Sequence, residues 1–193
     1  VLANCESDGE KVASYIPDDE QGQYTAVRAL LAEGYRRPLC LHLPEGHLAT
    51  TRRRQGLERA CREAGLDPDG LAHSYMALGD EHYRDIPAVL LAHMQNGIPR
   101  FDAVICGNDR IAFMVYQTLL GQGLRIPDDV AVIGYDNMVG IGELFLPPLT
   151  TVQLPHYEIG RLSALHIING EEHQETTRVE SPFLLRDSVA QAT

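Results

Sequence analysis

The chain has 193 residues, of which 44% are hydrophobic and 22% charged, and its formal net charge is −11. This length and composition suffice for one folded domain or two small ones, and they exclude a chain that is disordered throughout. Lys11 is the single lysine and Arg52-Arg53-Arg54 is the densest basic run, so we expect no nucleic-acid or membrane surface in this stretch. No apolar run is long enough to span a bilayer, and no signal-peptide pattern is visible at the start.

The cysteines indicate a reducing compartment. No two of the four have the Cys-x-x-Cys spacing of metal or redox sites. Cys40, Cys61 and Cys106 fall in apolar runs or in a helix-like pattern, where a free cysteine behaves as a small buried hydrophobe. We therefore expect reduced thiols and a cytoplasmic protein.

Strand and helix patterns alternate as far as residue 135. Apolar runs predict strands at Val1–Cys5, Val12–Ile16, Pro38–Leu43, His73–Leu78, Phe101–Cys106 and Val130–Tyr135. Helical periodicity predicts helices at Gln21–Glu33, Thr50–Ala64, Ile86–Gln95 and Asp109–Leu120. This alternation is typical of an α/β fold in which helices cover both faces of a parallel sheet.

The pattern changes after Asp136. The stretch Pro147–Val152 cannot be helix interior and predicts an extended crossover between two lobes. A helix over Tyr157–Asn169 and a strand over Ser181–Asp187 are expected to follow. A chain that leaves one lobe late and returns to it suggests a hinged two-lobe binding protein.

Ligands of parallel α/β sheets bind beyond the carboxyl ends of the strands, and polar residues stand at three such places. One of Arg52, Arg53 and Arg54 either presents its guanidinium to a ligand, or the run lies on a solvated helix face. Asn108 and Asp109 either cap the next helix or contact a ligand. Asp136 either accepts hydrogen bonds from sugar hydroxyls or bonds the backbone amides of the next turn. The residues alone leave each alternative open.

Motifs for catalysis, phosphate binding and metal binding are missing from the sequence. It contains no G-x-S-x-G, no G-x-x-x-x-G-K-[ST] and no G-x-G-x-x-G. The eight histidines form no H-E-x-x-H, and His42 and His47 lack a nearby cysteine or carboxylate at zinc-site spacing. We expect no metal and no cofactor, with His82, His93 and His173 at the surface and His156 nearest to a site. No nucleophile or acid–base pair supports an enzyme.

Several short motifs occur together and in order along nearly the whole chain. They are Pro17-Asp18-Asp19-x-x-Gly22, Leu30-Leu31-x-x-Gly34-Tyr35-Arg36-Arg37, Arg53-x-x-Gly56, Ala64-Gly65-Leu66, Ala103-Val104-Ile105-Cys106-Gly107-Asn108-Asp109, the run from Gly123 to Asp136, Pro148-Leu149-Thr150-Thr151-Val152 and Leu185-Arg186-Asp187-Ser188. In this combination the chain resembles the regulatory core of the lactose-repressor/galactose-repressor (LacI/GalR) family of bacterial transcription factors.

The resemblance implies a fold of two Rossmann-like lobes joined by crossovers, as in periplasmic sugar-binding proteins, with the first lobe incomplete here. Residues 1–19 and 152–174 would belong to the first lobe, and residues 20–150 and 176–190 to the second. The family's helix-turn-helix headpiece is not among these residues. Operator DNA would therefore be contacted only through that headpiece.

The resemblance also implies which residues contact an effector. Arg53 matches an arginine that grips the effector in many members. Asn108 matches a polar effector contact, with Asp109 as its helix-capping partner. Asp136 matches an acidic residue that accepts hydrogen bonds from effector hydroxyls.

Three further expected contacts fit the family pattern less closely. Asn4 lies near a first-lobe pocket position. Glu81 lies near a position that often carries an aromatic ring stacked on the sugar, a ring that Tyr83 or Tyr75 would have to supply here. His156 stands where an apolar residue is frequent.

The function implied is effector sensing. A sugar, sugar acid or sugar phosphate bound between the lobes would shift their arrangement, and a homodimer would transmit the change to the operator-binding headpieces. The predicted helix Asp109–Leu120 has more apolar residues than one face can bury, among them Ile111, Phe113 and Tyr116. We therefore expect part of this helix or its neighbours in the dimer interface. An alternative interpretation is a periplasmic-type sugar-binding protein for transport.

Overall fold

The structure is a computed structural model that describes residues 1–7, 11–77 and 80–190, with the backbone alone at 80–82. The strands are β1 Leu2–Ala3, β2 Ser14–Pro17, β3 Pro38–His42, β4 Ala72–Tyr75, β5 Met94–Gln95, β6 Ile98–Pro99, β7 Ala103–Cys106, β8 Ala131–Ile133, β9 Thr151–Val152, β10 Thr176–Val179 and β11 Phe183–Leu184. The helices are α1 Asp19–Ala32, α2 Leu48–Glu63, α3 Ile86–Ala92, α4 Asp109–Gly121 and α5 His156–Ile168, with short 3-10 helices at Pro68–Gly70, Asp80–Asp85 and Gly142–Leu144.

The larger sheet has four parallel strands in the order β4-β3-β7-β8. Strands β3, β7 and β8 are buried, β4 is partly exposed, and the side chains of the sheet alternate between two apolar layers. One layer packs against α3 and α4 and contains Leu39, Leu41, Val104, Cys106 and Val132 from the sheet. The other packs against α1 and α2 and contains Cys40, Ala103, Ile105, Ala131 and Ile133. The predicted α/β fold with helices on both faces of a parallel sheet is confirmed.

The smaller sheet has three parallel strands in the order β1-β2-β10. Helix α5 packs on it, and Tyr15, Ile159 and Val179 form its apolar cluster. The antiparallel pair β9–β11 runs between the sheets, and Thr150 and Gln153 bridge to Ile133 and Asp136 beside β8. No helix in the described ranges is both long and apolar enough to cross a membrane.

The third predicted helix is too long, because its end is a hairpin. Helix α3 ends at Ala92, and Met94–Gln95 pairs with Ile98–Pro99 in an antiparallel ladder. Asn96 and Gly97 join the two strands with φ values of 52° and 79°, as a two-residue hairpin turn requires. The pair Asn-Gly therefore signals a hairpin here and not only the stop of a helix.

One strand of the smaller sheet was not predicted. Thr176–Val179 pairs in parallel with Ser14–Pro17, although three of its four residues are at least partly exposed and its pattern is polar. The expected division of the chain between residues 174 and 176 therefore falls just before a strand that pairs with residues 14–17. Of the strand predicted over Ser181–Asp187, only Phe183–Leu184 forms.

We predict that Gly56→Ala destabilises the fold by about 1–3 kcal/mol, the usual cost of overpacking. Gly56 lies where α2 crosses α1, and an added Cβ would overlap the carbonyl oxygen of Glu20 and lie 2.9 Å from the backbone nitrogen of Tyr24. Chemical denaturation of the variant and its parent measures the change in the free energy of unfolding.

Gly160→Ala is the matched control. Gly160 is exposed in the middle of α5, and an added Cβ there would meet nothing within 4 Å. We expect this variant to be more stable by about 0.5–1 kcal/mol, because alanine replaces glycine in a helix without a clash. A Gly56→Ala protein as stable as its parent would contradict the close helix contact.

Candidate ligand-binding cleft

A polar cleft lies between the larger and the smaller sheet, at the carboxyl ends of the parallel strands. It contains two adjoining cavities of about 580 and 570 Å³, and the side chain of Leu154 lines both. The first is lined by residues that include Asn4, Glu6, Asp19, Arg52 and Arg53. The second is lined by residues that include Asn108, Arg110, Asp136, Gln153 and His156. The cleft thus contains five of the six expected contact residues.

Arg53 is buried at the bottom of the first cavity. Its Nε donates to Asp19 Oδ1 at 2.7 Å, its Nη1 donates to the Gly107 carbonyl at 2.7 Å, and its guanidinium lies 3.6 Å from the centre of the Tyr135 ring. The solvated-face alternative is therefore wrong, since Arg53 is 8% exposed. These bonds leave Nη2 without an acceptor among the described residues, so it is available to a ligand in the cavity.

The sequence singled out Asp19 only as part of the motif Pro17-Asp18-Asp19-x-x-Gly22. Asp18 does cap α1, because its Oδ1 accepts from the Gln21 backbone N–H at 3.3 Å. Asp19 is the first residue of that helix and is 4% exposed, and it pairs with Arg53 from α2. One neighbour therefore holds the helix end, and the other positions the cleft arginine.

Asp136 is the outstanding electrostatic feature of the second cavity. It is half-buried after β8, and its carboxylate has no hydrogen-bond partner within the described ranges, although its backbone is held by Val152 and Leu154. Burial raises the pKa of Asp136 to about 7, against the opposing charge of Arg53. Its φ of 112° is a strained conformation for a residue with a side chain. An unpaired, desolvated carboxylate on strained backbone is typical of a binding site.

Asn108 and Asp109 fix the first turn of α4 beside Asp136. Asn108 Oδ1 accepts from the Ile111 N–H at 2.9 Å, which confirms its capping role, and Nδ2 donates to the Tyr83 hydroxyl at 3.1 Å. Asp109 Oδ1 accepts from Thr151 Oγ1 at 2.8 Å, and its Oδ2 accepts from the Met138 N–H at 2.9 Å. Asp109 therefore does not cap α4, as the resemblance implied, but ties the helix to the crossover strand and to the loop that carries Asp136.

Charge is balanced within the first cavity. Asn4, exposed after β1 with a φ of 61°, lies at its rim. Arg52 Nη2 donates to Glu6 Oε2 at 2.6 Å and thus joins α2 to the loop that follows β1. The pairing of Arg52 with Glu6 was not identified from the sequence, because it joins residues 46 positions apart.

Of the two remaining expected contact residues, His156 and Glu81, the structure places only His156 at the cleft. His156 begins α5 and is exposed at the second cavity. Glu81 lies in the 3-10 helix Asp80–Asp85, and its side chain lies outside the described residues. Of the two tyrosines considered in its place, Tyr83 contacts Asn108, whereas Tyr75 stacks on His42 at 4.6 Å. Of these two tyrosines, Tyr83 is therefore the one that contacts a cleft residue.

Comparison with known proteins agrees with this architecture. The family profile described as "Periplasmic binding proteins and sugar binding domain of LacI family" matches residues 1–187. The chain belongs to this family.

The sucrose operon repressor of Shigella flexneri is 57% identical over 189 residues, which cover 98% of this chain and 57% of that protein. The ribose operon repressor of Escherichia coli (strain K12) is 34% identical over 172 residues, which cover 86% of this chain and 49% of that protein. The structure of a LacI family transcriptional regulator from Enterococcus faecium with bound ribose aligns with a TM-score of 0.83 and 29% identity over 100% of this chain and 70% of that one. The chain spans about half the length of the curated relatives it matches.

We predict that Arg53→Ala destabilises the protein by about 3–5 kcal/mol, because it leaves the Asp19 carboxylate buried and unpaired. Arg161→Ala is the control, since Arg161 forms an exposed pair with Glu158 on α5 and such solvated pairs contribute little to stability. Denaturation of both variants near neutral pH checks the difference. Equal, small effects would show that the Arg53–Asp19 pair does not hold the two helices together.

Proposed function

We propose that this chain is the effector-sensing core of a LacI-type transcriptional regulator and that it binds a small neutral sugar in the cleft. The observation that carries the proposal is the unpaired Asp136 carboxylate, which faces a cavity of about 570 Å³. Two oxygens that accept no hydrogen bond from the described residues suit a ligand rich in hydroxyl groups. The names of the relatives, a sucrose operon repressor and a ribose operon repressor, support a sugar.

The charges in the cleft favour a neutral sugar over a sugar acid or a sugar phosphate. Arg52 and Arg53 are paired with Glu6 and Asp19, so neither carries an uncompensated positive charge. A phosphate or carboxylate in the second cavity would lie near Asp136, whose own ionisation burial already disfavours. Arg110, exposed at the rim, is too well solvated to reverse this preference.

We assign the two sheets to the two lobes that enclose the cleft. Residues 1–19 and 152–179 form the first lobe in this proposal, and residues 20–150 and 180–190 form the second. The assignment keeps β10 with its partner β2. The chain would then cross between the lobes three times, at Asp18–Asp19, at Thr151–Leu154 and at Val179–Glu180, and a sugar bound between the lobes would favour the closed arrangement.

The full regulator would act on operator DNA through a headpiece outside this chain, and it would turn over no substrate. Transport is the competing function for the same fold. Binding of the sugar to the full-length protein together with sugar-dependent release or capture of operator DNA would support regulation. Sugar binding without any effect on DNA affinity would favour the transport interpretation.

We predict that Asp136→Asn weakens binding of a neutral sugar about 10–100-fold, the loss expected for hydrogen bonds to a charged acceptor. Calorimetric titration with sucrose, glucose, fructose and ribose, and with glucose 6-phosphate as the anionic comparison, measures the dissociation constants. Glu143→Gln is the control, because that side chain is 81% exposed and lines neither cavity. A sugar phosphate that binds more tightly than every neutral sugar would overturn the assignment.

We also expect sugar affinity to rise as the pH increases from 6 to 8. The pKa of Asp136 is about 7, so the ionised form that accepts hydrogen bonds on both oxygens becomes the main form across this range. The same titration repeated for Asp136→Asn gives the reference, because asparagine does not titrate. Parallel pH profiles of parent and variant would show that another group controls the binding.

In the sugar-free protein, the stability that Asp136 contributes should fall as the pH rises, opposite to the trend in sugar affinity. A carboxyl whose pKa is higher in the folded state than in the unfolded one contributes stability at low pH and loses it as the pH rises through the folded value. At pH 8, therefore, sugar-free Asp136→Asn should melt a few degrees above its parent, at about 2–4 °C for each kcal/mol gained. At pH 4 the two melting temperatures should converge, and calorimetry at both values checks this.

We propose a homodimer that uses the outer side of α4. Phe113 is 50% exposed there and contacts the ring of Phe145, and the neighbours Leu144 and Leu146 are 80% and 82% exposed. Ile111, Val115 and Tyr116 of α4 are buried in the core, whereas Met114 is partly buried and Leu120 is 45% exposed, so only part of the helix is free for a partner. A second copy would cover this apolar patch.

Phe113→Glu should convert the dimer into a monomer, because two carboxylates would then meet in a dry interface. Sedimentation velocity at micromolar concentration measures the change. Ile98→Glu is the control, since Ile98 is 69% exposed in the β5–β6 hairpin. Loss of the dimer in the control and not in Phe113→Glu would place the interface elsewhere.

A further inference from the structure

Two histidines and a glutamate meet at the end of α5, away from the cleft. His166 lies in the last turn of the helix, and Glu171 and His173 follow it in the segment that leads to β10. Glu171 Oε2 lies 3.6 Å from His166 Nδ1 and 3.4 Å from His173 Nδ1. The three ligand atoms lie within 4.8 Å of one another. From the sequence we expected His173 at the surface and no metal site, because the spacing of these three residues matches no common metal-binding motif.

These separations suit a shared metal ion better than direct hydrogen bonds. Nitrogen–oxygen hydrogen bonds of charged groups are shorter, about 2.7–2.9 Å. Ligand atoms of a tetrahedral ion with bonds of about 2.0–2.1 Å lie about 3.3–3.4 Å apart, close to the two distances seen here. Imidazole nitrogens with a carboxylate oxygen are a donor set that Zn²⁺ accepts.

Tyr15 on β2 supplies the outer support that such a site needs. Its hydroxyl lies 3.4 Å from His173 Nε2 and 3.2 Å from His166 Nδ1. If His173 binds a metal through Nδ1, its Nε2–H donates to the Tyr15 oxygen, which fixes the tautomer and the orientation of the ring. His166 is buried whereas Glu171 and His173 are 40% and 37% exposed, so one ligand is held by the core and an ion can enter from solvent.

A second group of potential ligands lacks these properties. His73 Nε2 lies 2.9 Å from the Pro68 carbonyl, so this nitrogen carries the proton and His73 Nδ1 accepts from His42 Nε2 at 2.8 Å. Both histidines are thereby satisfied by hydrogen bonds, and their nitrogens are too close to be two ligands of one tetrahedral ion. Cys40 beside them is fully buried, which raises the pKa of its thiol and disfavours the thiolate. This group needs no metal.

We propose that His166, Glu171 and His173 bind a divalent transition-metal ion of the zinc class, with water as the fourth ligand. The ion would join the end of α5 to the segment before β10 and to β2, the central strand of the smaller sheet. Its role would be to stabilise that sheet, because binding to the folded state alone raises stability. The proposal does not depend on the identity of the sugar.

The test uses purified metal-free protein without a polyhistidine tag, titrated with Zn²⁺ alone and with Co²⁺ alone. We expect one ion for each chain, the visible absorption bands of tetrahedral Co²⁺, and a rise in melting temperature with Zn²⁺. His173→Ala and Glu171→Gln should each weaken binding at least 10-fold and abolish the rise in melting temperature. Both side chains are partly exposed, and an unchanged melting temperature of the metal-free variants shows that they fold.

Two controls make the test decisive. His93→Ala, which removes a histidine at the end of α3, should leave metal binding unchanged. Cys40→Ser should do the same, and the Co²⁺ complex should show no sulfur charge-transfer band. Absence of binding, equal affinity in His173→Ala and its parent, or loss of binding in Cys40→Ser would each overturn the proposal.

Discussion

The cleft depends on one buried ion pair. Arg53 and Asp19 come from different helices, and their side chains are 9% and 5% exposed, so neither charge is stabilised by bulk water. The pair is supported by the Gly107 carbonyl after β7 and by the ring of Tyr135 after β8. These contacts bring together two helices and the ends of two strands at one point. Breaking such a pair costs more than its formation gains, so it fixes the geometry of the cleft more than it adds stability.

Asp136 stands in the opposite situation. Its neighbour Asp109, also buried with its pKa raised by desolvation, accepts hydrogen bonds from Thr151 and Met138. Asp136 accepts none within the described ranges, and its backbone takes a strained conformation. One carboxylate thus holds the fold together, and the other remains available to a ligand at a cost in stability. Such conflict between local preference and global fold is expected at functional sites.

The sequence predicted the larger sheet well, because strands buried on both faces are continuous apolar runs and the helices between them have apolar faces. It predicted less of the smaller sheet. Thr176–Val179 is polar and becomes a strand only through its pairing with Ser14–Pro17, more than 150 residues away. The hairpin after α3 was missed because Asn96-Gly97 ends a helix as readily as it turns a hairpin. Long-range pairing and ambiguous turn chemistry are not resolved by local periodicity.

For the site, the resemblance identified Arg53, Asn108 and Asp136 as candidates, but only the structure showed how they differ. The charge of Arg53 is compensated by Asp19, and both polar atoms of the Asn108 amide form hydrogen bonds. The Asp136 carboxylate forms neither an ion pair nor a hydrogen bond among the described residues. Residue type and spacing cannot distinguish these cases, because the partner that decides each one lies far away in sequence. The group His166, Glu171 and His173 was missed for the same reason. Its members are close in sequence, but they converge only because α5 ends between them and β2 presents Tyr15. Partners distant in sequence therefore determine which polar residues hold the fold and which remain free for chemistry.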